Sequence, residues 1–365
     1  MRVAFIGTRG VPATYSGFET CVEQVGRRMA DRGHEVTVFC RTSHYADRPA
    51  EYRGMRLVYL PAISQKHLET LSHTALSALR LARDTAIVCM GVGNAPVVRY
   101  LELFGRRAVF NVDGADWQRD KWGGLASRYL RSSERMAARG KSIVVADAEA
   151  VRRYYRDEYG RESELVAYGA DPPADRGTET PAKFGLKAGA YLLSVGRLVP
   201  ENGADDYLAG ARLAGIDAPA VVVGDASYAD EYKAALHAEA PANAVFTGYQ
   251  FGSAYQQLTA HAGVFVLAAT VGGTHPVLIE QMAAGNAILA RETESNREVL
   301  GEAGLYWDTP GQLAEVLREI WPDPDRRSEL GAAAKRRAEE RYSWEQVTAR
   351  YLELAEASLK PPTAR

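Results

Sequence analysis

The sequence predicts two tandem α/β units, each a doubly wound parallel sheet with helices on both faces, the two facing a cleft. Three observations carry this expectation. Short continuous apolar runs alternate with amphipathic stretches almost from end to end, the pattern of parallel strands buried on both faces. The alternation breaks at 171–182 (DPPADRGTETPA), a stretch of linker composition, and then restarts. The length of 365 residues fits about two domains of roughly 100–200 residues each.

In chain order, 2–6 (RVAFI) is a first strand ending at Gly7. An amphipathic helix over 18–32 stops at Gly33, a natural C-cap. Strands follow at 36–40 and 57–60, a helix at 68–83, and strands at 87–90, 109–112 and 143–146. After the linker, strands are expected at 191–195, 221–223, 245–247, 264–267 and 287–290, each followed by a helical segment. The tail over 323–359 reads as helical throughout. The units are expected at 1–175 and 186–342, with the linker at 176–185 and a last helix within 343–365.

Composition narrows the function. A chain 46% hydrophobic and 25% charged is not a disordered one. No run approaches the ~18–20 apolar residues of a membrane span, and the N-terminus lacks a signal-peptide layout, so a cytoplasmic protein is expected. Cys21, Cys40 and Cys89 stand singly, which excludes a disulfide framework or a CxxC metal knuckle. The net charge of -2 hides an asymmetry: residues 1–175 hold 26 Lys+Arg against 21 Asp+Glu, the remainder 18 against 25. That excess is too small for a nucleic-acid footprint, but it suits an anionic substrate or a weak peripheral contact with the inner membrane face. Arg128, Arg131, Arg135 and Arg139, spaced by three and four, fall on one helix face able to meet anionic lipid or a lipid-diphosphate acceptor.

Ligands in doubly wound sheets bind at the carboxyl ends of strands, so the chemistry is sought in the loops there. The first loop, Gly7 to Glu19 (GTRGVPATYSGFE), leads into a helix N-terminus that favours an anion. It lacks the middle glycine of a dinucleotide fingerprint, although Arg41 at the end of the second strand leaves an NADP reading open. After the strand at 264–267 stands Gly272-Gly273-Thr274-His275-Pro276-Val277-Leu278-Ile279-Glu280. Pro276 suits the first turn of a helix that Gly285 closes. The amides around Thr274, His275 and Val277 form an anion nest, and His275 can donate to phosphate. Glu280, about a turn further in, can accept two hydrogen bonds from a ribose diol. Arg197, beside Gly196 at another strand end, can fork onto a diphosphate. Asp113 with Gly114 ends the strand at 109–112, and Trp117 and Trp122 follow in the manner of a sugar-stacking cleft wall. Asp323-Pro324-Asp325 has a D-x-D spelling but reads as a helix start; no metal is expected.

Taken in order, GTRGVPATYSGFET, NVDGADWQRDKW, AYGAD, RLVPEN and GGTHPVLIEQMAAGN resemble the GT-B glycosyltransferases, specifically the family 4 retaining group and its rhamnosyltransferase-like branch. The resemblance implies two Rossmann-like domains and a last helix that crosses back onto the first. It places a nucleoside-diphosphate sugar (UDP-, dTDP- or GDP-linked) on the second domain and a hydroxyl acceptor on the first, with no separate cofactor. By it, Arg197 is the diphosphate arginine and Glu280 the second glutamate of the family's Glu-x7-Glu motif, on ribose. Ser16 and Gly17 match the loop facing donor phosphate and sugar, and Tyr249 lies where the nucleobase packs. Asp113 matches the position of a family histidine and is expected at the acceptor or donor sugar. Arg9, Glu19, Trp117 and Lys121 fall on the acceptor side. Two residues depart from the pattern: Gly272 replaces the first glutamate, and Asn202 replaces a lysine. Both leave a deoxysugar such as rhamnose open as the group transferred. The implied reaction is front-face substitution with retention, in which Arg197, Arg9 and the amides at Gly273, Thr274 and His275 steady the leaving diphosphate. A GT-B nucleotide-sugar epimerase is the alternative on the same fold. A monomer or homodimer is expected.

Overall fold

The computed structural model describes residues 1–13, 17–65, 68–112, 124–226, 229–271 and 274–360. Two compact units divide the chain: Met1–Tyr168 with Trp344–Arg365, and Gly169–Ser343.

Among the described residues the first unit has an eight-stranded sheet. Its strands are β1 (Arg2–Ile6), β2 (Glu35–Arg41), β3 (Glu51–Tyr52), β4 (Met55–Leu60), β5 (Thr85–Met90), β6 (Ala108–Asn111), β7 (Ile143–Ala146) and β8 (Glu164–Leu165). Their order is β3-β4-β2-β1-β5-β6-β7-β8, parallel throughout except for the β3–β4 hairpin. The helices are α1 (Gly17–Asp31), α2 (Glu69–Leu79), α3 (Ala95–Leu103), α4 (Gly124–Ala138) and α5 (Glu149–Tyr159). Successive residues of a strand point to opposite faces, so Ala4 and Ile6 pack in the core shared with α2 to α5. Phe5 lies on the face of α1, where Gly26 lets the helix approach Phe5, Met55 and Val36. Burial on both faces from Val3 onward is why β1 is apolar there without alternation.

The second unit repeats the plan with β9 (Leu192–Val195), β10 (Ala220–Val223), β11 (Ala244–Gly248), β12 (Val264–Leu267), β13 (Ile288–Arg291) and β14 (Leu305–Trp307). They form a parallel sheet in the order β11-β10-β9-β12-β13-β14. Its helices are α6 (Glu179–Lys183), α7 (Ala204–Ala214), α8 (Asp230–Glu239), α9 (Gly252–Ala260), α10 (Pro276–Ala284), α11 (Glu294–Leu300), α12 (Pro310–Ile320) and α13 (Pro324–Arg341). The short helix α6 falls in the Pro-rich stretch.

The tail is helical in two pieces: α13 ends at Arg341 with Tyr342 as its C-cap, and α14 (Trp344–Leu359) packs in the first unit against α1, β5 and β6. Buried Tyr351 on α14 accepts a hydrogen bond from Asn111 Nδ2 at 2.9 Å, and Glu345 pairs with Arg32 at 2.8 Å and Arg28 at 3.3 Å. Asp323 caps α13 by accepting from the Arg326 amide at 2.9 Å, the helix-start role expected of it. Strands β3, β8 and β14 escaped the sequence reading, since two or three residues carry no periodicity. No helix among the described residues is long and apolar enough to cross a membrane.

Candidate active site

Strand order in the second sheet reverses between β9 and β12, the point at which doubly wound sheets open a crevice beyond their carboxyl ends. The loop after β9 holds Arg197, exposed, and a 3₁₀ turn at Pro200–Asn202. Gly203 follows at φ 66°, where a Cβ would lie 2.4 Å from the Ala268 carbonyl oxygen, so only glycine lets this turn seat against the end of β12. The Thr270 amide donates to the Glu201 carbonyl at 3.0 Å and fastens the two loops together. Asn202 Nδ2 donates to the Arg197 carbonyl at 2.8 Å, so the residue in the lysine position braces the arginine's own loop. A similar step joins the neighbouring strand ends: Gly196 N donates to Val223 O at 3.0 Å and Gly224 N to Gly248 O at 2.9 Å. Just past Gly248, Tyr249 is half exposed and stacks on Phe251, with ring centroids 5.8 Å apart at 17°. A flat ring there can receive another flat ring.

Beyond β12, Thr274 and His275 are half-buried before α10, and His275 is its N-cap residue. Pro276 occupies the first helical position and Gly285 closes the helix at φ 80°, as the sequence led us to expect. The first turn therefore offers backbone N–H groups and the positive end of a dipole at the carboxyl end of the sheet, beside the Arg197 loop. Gly272 and Gly273 lie outside the described residues.

Glu280, half-buried on α10, receives a hydrogen bond from Tyr255 Oη of α9 at 2.5 Å. Burial pushes its carboxyl above the usual value, and the tyrosine bond pulls it part of the way back. Burial first, and then the neighbouring carboxylate, drive the Tyr255 phenol well above its ordinary value. Next along α10, Gln281 Nε2 donates to Thr259 Oγ1 at 3.0 Å and Asn286 Nδ2 to Gln281 Oε1 at 2.6 Å. This satisfied network holds α9 and α10 in register. The sequence reading did not include Tyr255; its signal, a tyrosine facing inward on a short helix, looks like any core aromatic.

In the first unit, Gly7 (φ 95°) brings the first loop against the Met90 carbonyl, 2.4 Å from where a Cβ would stand. Glu19 is buried and accepts from the Arg9 amide at 3.0 Å, while Glu23 accepts from the Ala13 amide at 2.7 Å. Glu19 thus supports the loop that carries Arg9, itself half-buried. Gly17 opens α1 beside the Tyr168 ring, 3.4 Å from a Cβ position. Ser16, Asp113, Trp117 and Lys121 lie outside the described residues. Arg41 is buried, with Nη1 3.4 Å from Glu69 Oε2 and Nη2 donating to Thr70 Oγ1 at 2.8 Å. A guanidinium spent inside the unit is not presented to a 2′-phosphate, and the NADP reading loses its residue.

Comparison with known proteins places both halves. A glycosyl transferase 4-like domain model matches residues 16–169, and a glycosyl transferases group 1 model matches residues 178–337. A GDP-mannose-dependent alpha-(1-6)-phosphatidylinositol monomannoside mannosyltransferase of Mycobacterium tuberculosis is 24% identical, over 94% of this chain and 95% of that one. An alpha-maltose-1-phosphate synthase of Mycolicibacterium smegmatis is 26% identical, over 97% and 98%. Among solved structures, a sucrose-phosphate synthase from Thermosynechococcus elongatus superposes with a TM-score of 0.80 at 18% identity, covering 98% of each chain. The Anabaena HepE protein in complex with UDP gives 0.76 at 18% identity, over 98% of this chain and 100% of that one. These likenesses support neither an epimerase nor an oxidoreductase. With two Rossmann-like parallel sheets matched along their length, the chain belongs to the group 1, family 4-like glycosyltransferases of the GT-B fold.

Proposed function

We propose that this glycosyltransferase is a retaining, metal-independent enzyme that moves a sugar, with a deoxysugar such as rhamnose among the candidates, from a nucleoside-diphosphate sugar to an acceptor hydroxyl. The observation that carries the donor assignment is Glu280, fixed by Tyr255 one turn inside α10, in the unit whose sheet reversal also presents Arg197. Its carboxylate takes the ribose diol, and Arg197 with the amides of Gly273, Thr274 and His275 takes the diphosphate. Tyr249 packs on the base. In the first unit, Arg9, Gly17, Asp113, Trp117 and Lys121 serve the acceptor or the donor sugar, and Glu19 positions the Arg9 loop.

In the reaction the bond between the anomeric carbon and the diphosphate oxygen breaks, and the acceptor oxygen bonds that carbon on the same face. The acceptor proton passes to a leaving phosphate oxygen, so a nucleoside diphosphate departs and no side-chain base is required. Arg197 and the helix-end amides stabilise charge as it grows on that leaving group. They supply the charge that a metal would otherwise supply, so chelator leaves turnover unchanged. Gly272, in place of the glutamate that the family sets on the donor sugar, supports a sugar with fewer polar contacts there, and Asn202 leaves one positive charge fewer at the phosphates. UDP-, dTDP- and GDP-sugars are the donor classes to test.

A thermal-shift panel of those donors decides the reading. A matching donor at a hundredfold excess over its Kd raises stability by about 2.7 kcal/mol. Arg197→Ala and Glu280→Ala are expected to abolish transfer with the fold intact. Wild-type turnover in both, or no shift with any nucleotide sugar, sinks the proposal. An inverted product anomer removes retention alone.

A further inference from the structure

The β3–β4 hairpin turns through Arg53 and Gly54, both at positive φ, 48° and 75°. Among the described residues Arg53 is the one non-glycine in that region. A β-carbon makes the conformation costly, and two-residue turns of this kind favour Asn, Asp or Gly. Such an outlier persists where its surroundings hold it, and here the side chain is held. Arg53 Nη1 lies 3.1 Å from Glu23 Oε1, and the guanidinium carbon stands 5.3 Å from the centre of the Tyr52 ring. Tyr52 Oη donates to the same carboxylate oxygen at 3.2 Å. An ion pair to an exposed arginine adds little to stability, so stability alone does not account for an arginine at this turn.

Helix α1 aims these contacts. Glu23, Gly26 and Ala30, spaced by three and four, share one of its faces. Gly26 makes room for Met55, whose Sδ lies 2.6 Å from where a Cβ would stand, and a Cβ on Gly54 would lie 3.2 Å from that of Ala30. The hairpin is thus seated along α1, and buried Glu23 uses its two oxygens in two directions. Oε1 takes the hairpin, while Oε2 accepts from the Ala13 amide of the first loop at 2.7 Å. The same loop is tied further back. There the Arg9 carbonyl accepts from the Arg41 amide at 2.8 Å, and the Pro12 carbonyl from Tyr45 Oη at 3.1 Å. Of these anchors, Ala13 stands nearest in sequence to Ser16 and Gly17.

We propose that Glu23 is a positioning residue for sugar transfer, its carboxylate set by Tyr52 and Arg53 of the hairpin so that the first loop enters residues 14–17 in one register. None of the three touches substrate. Their effect passes through the Ala13 amide to the loop. The strained turn is then the cost of placing a guanidinium where it can fix a buried carboxylate. The inference rests on the reading that Ser16 and Gly17 face the donor phosphate and sugar. It adds to that reading a cause for the loop's placement, namely a brace from the far edge of the sheet.

Arg53→Gly in the full chain tests it, because glycine relieves the turn while removing the tether. The melting temperature is expected to hold or rise, and the affinity for the nucleoside diphosphate to stay as in the wild type. With the nucleotide sugar that the thermal-shift panel selects, kcat should fall about tenfold. Arg53→Lys keeps the cation and should recover most of the turnover. Glu23→Gln keeps an oxygen for the Ala13 amide but loses the charge; its kcat should fall by a similar factor, and adding Arg53→Gly should cost little more. Wild-type kcat in Arg53→Gly overturns the proposal. So does a loss of kcat that follows a lowered melting temperature, or a lysine variant no better than the glycine one. If Arg53→Gly is silent while Arg197→Ala is inactive, this inference alone fails. If Arg197→Ala also turns over normally, the site assignment beneath it fails as well.

Discussion

Tyr255 and Glu280 form a fixed pair: the phenol on α9 holds one carboxylate oxygen on α10 at 2.5 Å. That bond restrains the rotation of the carboxylate. A hydrogen bond to a charged acceptor contributes about 1.5–3 kcal/mol, enough to matter for a ligand that must find the group already oriented.

Tyr255→Phe keeps the ring and removes the bond. The donor KM is expected to rise about tenfold or more with kcat nearly unchanged. In a Glu280→Gln background the same substitution should add little, because the partner charge is already gone. Additive losses would make Tyr255 a packing residue only.

The raised Glu280 carboxyl gives donor binding an acid limit. As pH falls through a value above the ordinary 4.5 the group gains its proton, and the ribose diol loses an ionic acceptor. Donor KM should therefore climb on the acid side in the wild type and stay flat for Glu280→Gln. A pH profile of KM checks this.

Gly203 is where the Arg197 loop meets β12. In Gly203→Ala the new methyl meets the Ala268 carbonyl at a positive φ, so the turn must shift. The expected cost is about 2 kcal/mol or more of stability, together with weaker nucleoside-diphosphate binding. Calorimetric melting and titration with the nucleotide read the two effects separately.

His73, buried on α2, is held down to about 4, first by burial and then by the Arg41 charge. Below about pH 6.5 the unfolded chain takes a proton there that the folded one refuses, so stability falls as pH drops from about 6.5 towards 4. The loss approaches about 3 kcal/mol at the acid end. His73→Gln should flatten the melting temperature over that window; an unchanged slope would assign the acid sensitivity elsewhere.

The alternation of apolar runs with helices made both sheets legible, since a strand covered on two faces must be apolar along its covered length, as 3–6 and 264–267 are. Pro276 and Gly285 bounded α10 correctly because a ring that fixes φ and a residue that tolerates positive φ act locally. Strands of two or three residues, such as Leu305–Trp307, were out of reach because neighbours, and not their own residues, pair them. Arg41 left the NADP alternative open for a similar reason: its partner Glu69 is distant in sequence, and only the fold, which brings the start of α2 to the end of β2, shows that its charge is paired. Tyr255 carries the same lesson in reverse, a residue of ordinary appearance given meaning by the helix beside it.

The return of α14 to the first unit has a consequence for synthesis. The residues that bury Tyr351 against Asn111 follow the second unit in the chain, so the first unit stays open along α1, β5 and β6 until the second has been made. The later half of the chain can close around purely internal contacts, whereas the earlier half waits with apolar surface uncovered. The order of folding is then the reverse of the order of translation. Deletion of 344–359 should injure the domain farthest from the cut in sequence and spare the one next to it.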